Sequence, residues 1–164
     1  GNDIVANQGI ISGNIDMGVG NDIVDNRGGT IRGDVKLGDG SDRYYGEKGQ
    51  VVGDVFGGNG ADFLIGGLVA DKFFGGADND TLDGEEGNDD LSGDAGDDTL
   101  NGDAGDDTLK GGTEKDTLNG GDGKDNLSGD SGDDTLNGDA GDDTLKGGTE
   151  KDILKGGDGK DNLS

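Results

Sequence analysis

The chain has 164 residues, of which 40 are glycine and only 26 % are apolar, and it carries a formal charge of −25. A composition this polar normally leaves a chain disordered, because too little apolar surface is buried to offset a conformational entropy of ~1–2 kcal/mol per residue. There is no Cys and no His, which excludes disulfides, thiolate metal sites and His-based triads, and 38 acidic against 13 basic residues argue against a nucleic-acid partner.

No apolar run approaches the ~20 residues of a membrane helix. The opening Gly1-Asn2-Asp3-Ile4 lacks the basic and apolar regions of a signal peptide. The chain starts in mid-motif and Ser164 closes a repeat unit, so we expect a piece of a longer protein.

Residues 1–56 carry a long repeat. Asp3, Asp22, Asp42 and Asp62 stand 19, 20 and 20 residues apart, each two residues after a glycine (Gly1, Gly20, Gly40, Gly60). Between them lie Ile11-Ser12-Gly13-Asn14-Ile15, Ile31-Arg32-Gly33-Asp34-Val35 and Val51-Val52-Gly53-Asp54-Val55, whose apolar residues alternate with period two, a strand signal. We expect one coil of two short strands per repeat. One edge turns at Gly-x-Asp, the other at a plain glycine turn near Gly9, Gly28-Gly29 or Gly49. Of the adjacent tyrosines, Tyr44 is expected in the core and Tyr45 on the surface, in preference to a saccharide platform.

From Gly57 the repeat tightens to twelve consecutive nine-residue units of the form Gly-(Gly/Asp)-x-Gly-x-Asp-x-Leu-x, without insertion or deletion. Position one is always Gly, position six always Asp, and position eight is Leu except at Phe73. A strict period over 108 residues means stacked structural units. Two nonapeptides make one 18-residue coil, so both edges now carry the Gly-Asp turn. Residues 129–164 repeat 93–128 at 33 of 36 positions. No helix is expected, since leucines nine apart fall on opposite sides of one. The first six residues of a unit should form the turn and x-Leu-x a three-residue strand, with position eight inward and positions seven and nine outward.

Coils of a parallel β structure lie ~4.8 Å apart. The position-six residues, such as Asp98, Asp116, Asp134 and Asp152, therefore form columns of like charge. Neighbours in a column repel by about 1 kcal/mol in water and ~3–4 kcal/mol at an effective dielectric near 20. Summed over two columns, this exceeds a typical stability of ~5–15 kcal/mol. Closure then requires a cation between successive turns. Oxygen ligands without nitrogen or sulfur select a hard ion, and a flexible Gly-rich cage suits Ca²⁺ better than Mg²⁺.

The unit Gly120-Gly121-Asp122-Gly123-Lys124-Asp125-Asn126-Leu127-Ser128 closely resembles the nonapeptide of the RTX (repeats-in-toxin, haemolysin-type calcium-binding) family. The resemblance covers 57–164 fully and 1–56 more loosely. It implies an all-β fold, a right-handed parallel β-roll or β-helix solenoid with calcium-binding turns, in which 1–56 and 57–164 are continuous. It also implies type I secretion of an unfolded chain that folds in extracellular calcium. In that family, carbonyls of positions two and four and the Asp of one turn meet carbonyls of positions one and three and the Asp of the next. One site would then join Asp103, Gly105 and Asp107 to Gly120, Asp122 and Asp125.

Carried along one edge, the candidate ligands are Gly57, Gly58, Asn59, Gly60, Asp62, Gly75, Ala77, Asp80, Gly93, Asp94, Ala95, Gly96, Asp98, Gly111, Thr113, Asp116, Gly129, Asp130, Ser131, Gly132, Asp134, Gly147, Thr149 and Asp152. On the other they are Asp71, Glu85, Gly87, Asp89, Gly102, Asp103, Ala104, Gly105, Asp107, Gly120, Gly121, Asp122, Gly123, Asp125, Gly138, Asp139, Ala140, Gly141, Asp143, Gly156, Asp158 and Asp161. Asp3, Gly18, Gly20, Asp22, Gly38, Gly40 and Asp42 extend the first edge. About nine to thirteen Ca²⁺ ions would fill such columns.

The two edges should differ at position four, where a strained turn favours glycine. One edge has Val69 and then only glycine. The other has Asp78, Glu114 and Glu150 in alternation with glycine. Val69 should be the worst fit, because it is β-branched. Lys110, Lys124, Lys146 and Lys160 read as a solvated face. Phe63, Ile65, Leu68, Val69 and Phe74 break the polar pattern of outward positions, and are expected either as local packing where the coil shortens or as a patch for another domain or copy.

No nucleophile–base pair is visible, so a non-catalytic role is expected. The preferred reading is a calcium-dependent stiff spacer in a secreted or surface-attached bacterial protein of adhesin or surface-layer type. The alternative is the C-terminal secretion and folding region of an RTX exoenzyme or toxin.

Overall fold

The computed structural model describes residues 1–164 as a parallel β-solenoid of nine coils without a helix. Apolar residues at every second position make strands, and the glycine-rich turns between them close each coil. The first three coils have three strands each. These are β1 (Ile4–Ala6), β2 (Ile10–Ile11) and β3 (Ile15–Asp16), then β4 (Ile23–Asp25), β5 (Thr30–Ile31) and β6 (Val35–Asp39), then β7 (Arg43–Glu47), β8 (Gln50–Val51) and β9 (Val55–Asn59).

The remaining six coils have two strands each. They comprise β10 (Phe63–Gly67) and β11 (Lys72–Ala77), β12 (Thr81–Glu85) and β13 (Asp90–Ala95), and β14 (Thr99–Ala104) and β15 (Thr108–Thr113). They continue with β16 (Thr117–Asp122) and β17 (Asn126–Ser131), β18 (Thr135–Ala140) and β19 (Thr144–Thr149), and β20 (Ile153–Lys155) and β21 (Asn162–Leu163).

Corresponding strands of successive coils pair in parallel. One nine-stranded sheet runs β1-β4-β7-β10-β12-β14-β16-β18-β20, and the other runs β3-β6-β9-β11-β13-β15-β17-β19-β21. A three-stranded sheet, β2-β5-β8, closes the third side of the first coils only. The register places each leucine on its equivalent one coil on, as in Leu82↔Leu100 and Leu100↔Leu118.

The inward residues at position eight are buried as far as Leu145, whereas in the last coil Leu154 is partly buried and Leu163 exposed. Leu64, Phe73, Leu82, Leu91, Leu100, Leu109, Leu118, Leu127, Leu136 and Leu145 are all fully buried. Tyr44 is buried with them and meets Phe73 edge to face at 5.8 Å, while Tyr45 is half-buried on the outside, as expected. Each two-strand coil thus contributes only two large apolar side chains to the core.

Two expectations need correction. The strands of the roll span up to six residues, positions seven to nine and then one to three of the next unit, as in Thr108–Thr113. They outrun x-Leu-x because the first glycines are extended enough to pair with the next coil. The N-terminal coils have three strands, because the stretches Ile11–Ile15, Ile31–Val35 and Val51–Val55, expected as single strands, each break at the central glycine into two. The equivalent corner of the second coil, between β4 and β5, holds buried Asn26, and Asn7 of the first coil donates from Nδ2 to Asn26 Oδ1 at 2.8 Å.

The apolar cluster of residues 63–74 is also divided. Phe63 and Ile65 sit on the outer face of the first sheet, Phe74 on the outer face of the second, and exposed Leu68 and Val69 in the turn between. The rings extend ladders begun one coil earlier: Tyr45 against Phe63 at 6.5 Å and Phe56 stacked on Phe74 at 5.0 Å. Arg27 lies over Tyr45 and Lys72 over Phe74.

Candidate metal centre

Two columns of aspartates run along the edges of the solenoid, placed there because the turn ends at position six in every unit. On one edge each Asp N–H donates to the Oδ1 of the Asp one coil on. The run goes from Asp42 to Asp62 at 2.8 Å, Asp62 to Asp80 at 2.8 Å, Asp80 to Asp98 at 2.7 Å, Asp98 to Asp116 at 2.9 Å, Asp116 to Asp134 at 2.9 Å and Asp134 to Asp152 at 3.1 Å. The other edge repeats this from Asp71 through Asp89, Asp107, Asp125 and Asp143 to Asp161, at 2.8–3.1 Å.

One oxygen of each carboxylate is therefore satisfied. The other is not. Oδ2 of Asp22, Asp42, Asp62, Asp80, Asp89, Asp98, Asp107, Asp116, Asp125, Asp134 and Asp143 is buried without a hydrogen-bond partner. Burial pushes up the carboxyls of Asp42, Asp62, Asp80, Asp89, Asp98, Asp107, Asp116, Asp125, Asp134 and Asp143, and neighbouring carboxylates add to the rise against the lowering effect of the N–H donor. Asp80 is raised to about 8, Asp62, Asp89 and Asp116 to about 7, and Asp98 and Asp125 to about 6. A buried acceptor left unpaired costs on the order of 1–3 kcal/mol. Seven such atoms stand on one edge and four on the other, so both columns carry carboxylate oxygens that the protein itself does not satisfy.

Main-chain oxygens converge on the same gaps. A Cβ on Gly121 would strike Asp103 O, one on Gly123 would strike Gly105 O, and one on Gly102 would come within 2.6 Å of Gly120 O. The carbonyl of Asp122 points back at the lower turn, accepting from Gly105 N–H at 2.9 Å. The residues Asp103, Gly105, Asp107, Gly120, Asp122 and Asp125 thus face one gap, Asp103 and Asp122 with their side chains exposed. Carboxylates do not gather in threes, so a cation here would be held by two carboxylates and by carbonyls. This all-oxygen set fits a hard divalent ion with many ligands.

The edges differ at position four. Gly87, Gly105, Gly123, Gly141 and Gly159 have φ of 140–156°, whereas Asp78, Glu114 and Glu150 sit at 74–79°. Val69 does not adopt a positive φ at all, and its turn differs from the rest. There Asp71 Oδ2 accepts from Gly67 N–H at 2.9 Å, so Asp71, unlike its column mates, is capped by its own turn. Asp3 is exposed, and Asp152 and Asp161 are only partly buried.

The repeat pattern gave no reason to single out Asp83, at outward position nine. Its Oδ1 is buried without a partner, and its carboxyl is raised by burial and by the carboxyl of Asp103 beside it. Lys110, Lys124, Lys146 and Lys160 are exposed, as a solvated face requires.

A family model described as the RTX calcium-binding nonapeptide repeat matches the chain four times, over residues 56–91, 66–100, 101–136 and 137–164. No curated protein matches the chain.

Proposed function

Because the chain belongs to the family of RTX calcium-binding nonapeptide repeats, we propose that it is a structural module whose β-roll closes on calcium and then serves as a stiff spacer in a secreted or cell-surface bacterial protein. The observation that carries this reading is the pair of columns of buried, unpartnered Oδ2 atoms. Bound between successive turns, Ca²⁺ would supply the positive charge that these carboxylates lack. The chain's own part is geometric. The stacked turns align the carbonyls, and the leucine column fixes the coil spacing. The N–H to Oδ1 ladder holds each carboxylate with its second oxygen in the gap.

The spacer role is favoured over a secretion and folding region of an exoenzyme by residues 1–56. They continue both sheets of the solenoid instead of turning to another architecture. At ~4.8 Å per coil, nine coils make a rod roughly 40 Å long. We read the module as non-catalytic, its work being mechanical. Localisation outside the cell follows the family and the millimolar calcium found there, and no helix is long and apolar enough to cross a membrane.

Folding and ion binding are then one event. In chelator the chain should show an expanded, coil-like circular dichroism spectrum. Millimolar Ca²⁺ should restore a β spectrum cooperatively, and Mg²⁺ at the same concentration should not. A full β signal in chelator would overturn the reading.

A further inference from the structure

We infer that the cation column runs on into residues 1–56, through two gaps: one between turns 17–22 and 37–42, wholly outside the family match, the other between turns 37–42 and 57–62, only the second of which lies inside it. The inference rests on the calcium reading above and extends it to coils of another shape.

The turns there have the conformation of the repeats. Gly18, Gly38 and Gly58 have φ of 92, 111 and 119°, beside 109° at Gly121 and 102° at Gly157. Gly20 and Gly40 have φ of 147 and 148°, beside 150° at Gly105. The ladder is also the same. Asp22 N–H donates to Asp42 Oδ1 at 2.6 Å and Asp42 N–H to Asp62 Oδ1 at 2.8 Å. Gly20 N–H donates to Asp39 O and Gly40 N–H to Asn59 O, both at 2.8 Å. A Cβ on Gly38 or Gly40 would strike the carbonyl of Gly18 or Gly20 below it, so these oxygens aim into the first gap. The carbonyls of Gly38 and Gly40 aim into the second in the same way.

The independent sign of a missing ligand is the carboxylates. Asp22 and Asp42 are 0 % and 1 % exposed, and Oδ2 of each has no partner. No basic side chain neutralises them, since the ion pairs join Arg27 to Asp25 and Glu47, and Lys72 to Asp90. The lower turn would offer the carbonyls of Gly18 and Gly20 with the carboxylate of Asp22. The upper turn would add the carbonyl of Asp39 and the carboxylate of Asp42, and the next gap repeats the set from Gly38 to Asp62.

What sets these turns apart from the nonapeptide is position one, held by Met17 and Leu37 in place of glycine. In a two-strand coil a Cβ at that position would meet the carboxylate of its own unit, as Gly75 shows against Asp80 Oδ2. In the second coil Leu37 takes this position instead and is fully buried. The opposite corner holds the Asn7–Asn26 amide ladder, so each of these coils has one cation edge where the repeats have two.

Equilibrium dialysis against Ca²⁺ on the full chain tests this, with the substitution Asp42→Asn. The amide keeps Oδ1 as acceptor for Asp22 N–H and removes only the charged, unpartnered oxygen. Asp42 borders both gaps, so D42N should bind two ions fewer than the wild type while keeping its β spectrum in calcium. Asp22→Asn borders one of them and should bind one fewer, which carries the test should D42N fail to fold. Unchanged stoichiometry in the folded variants overturns the inference alone. A wild-type chain that binds no calcium overturns the reading beneath it.

Discussion

Position one of the nonapeptide is glycine for lack of a side chain, and its backbone conformation is ordinary. Gly102 has no positive φ, but a Cβ there would meet Asp107 Oδ2 and lie 2.6 Å from Gly120 O. Position two has the opposite character. It is left-handed in every unit but that of Gly67, yet Asp94, Asp103, Asp130 and Asp139 occupy it at φ of 65–73°, with side chains turned to solvent. Gly102→Ala should therefore destabilise the calcium-loaded roll by ~1–3 kcal/mol, the usual range for overpacking. Gly121→Asp should cost less once its φ of 109° closes towards the 66° at which Asp103 already occupies the equivalent turn. Thermal unfolding in calcium compares the two, and equal losses would mean that the carboxylate does not exclude a position-one side chain.

At the scale of the turn, the edge with glycine at every fourth position after Val69 is regular. Its cross-coil bonds from Gly87, Gly105, Gly123 and Gly141 N–H to the position-three carbonyl measure 2.8–2.9 Å. On the other edge the bonds from Gly96 to Thr113 O and from Gly132 to Thr149 O stretch to 3.4 Å, where the turn above carries Glu114 or Glu150. Each glutamate partly compensates, since Glu114 Oε2 accepts from Gly96 N–H and Glu150 Oε2 from Gly132 N–H, both at 3.1 Å. A non-glycine residue at φ of 74° costs ~1–2 kcal/mol, and an exposed hydrogen bond recovers only part of that. Glu114→Gly should shift the folding midpoint to a severalfold lower Ca²⁺ concentration. A shift to higher concentration would identify the glutamate as a ligand.

A second ladder, absent from any pattern reading, joins the turns at position five. Asn88 Oδ1 accepts from Asp106 N–H at 3.1 Å, and Asp106 Oδ1 accepts from Lys124 N–H at 2.9 Å. Lysine cannot pass the ladder on, so it resumes only with Asp142 and Lys160. The other edge breaks in the same coil, at Lys115, and resumes with Asp133 and Lys151.

For the whole molecule, the raised carboxyls set a pH dependence. An unfolded carboxyl titrates near 4, whereas Asp80 in the solenoid is raised to about 8 and Asp62, Asp89 and Asp116 to about 7. The folded state thus holds more protons between these values. Its metal-free stability is fully present below about 4 and is lost as the pH rises through about 6 to 8. In chelator, acidification from pH 8 to pH 4 should raise the β signal. In calcium, the midpoint should move to higher Ca²⁺ concentration below about pH 7, as protons compete for the same oxygens. Loss of β content on acidifying the metal-free chain would count against the buried columns.

The period of nine, with Gly at one, Asp at six and Leu at eight, was enough to establish a helix-free stack of coils with leucine inside and aspartate at the edges. A parallel stack repeats every residue's surroundings, so spacing along the chain becomes position in space. What has no period stayed out of reach. The third strand of the first coils depends on how Tyr44, Leu37 and Ile31 fill a wider interior. The division of Phe63 and Phe74 between opposite faces depends on which strand each enters. Whether Asp71 Oδ2 turns to its own Gly67 or stays unpartnered like that of Asp89 depends on the turn that Val69 reshapes. The sequence by itself determined the columns, because repetition encodes them. Only the tertiary structure decided which carboxylate oxygens in those columns lack a partner, because that turns on angles and distances between coils 18 or 20 residues apart.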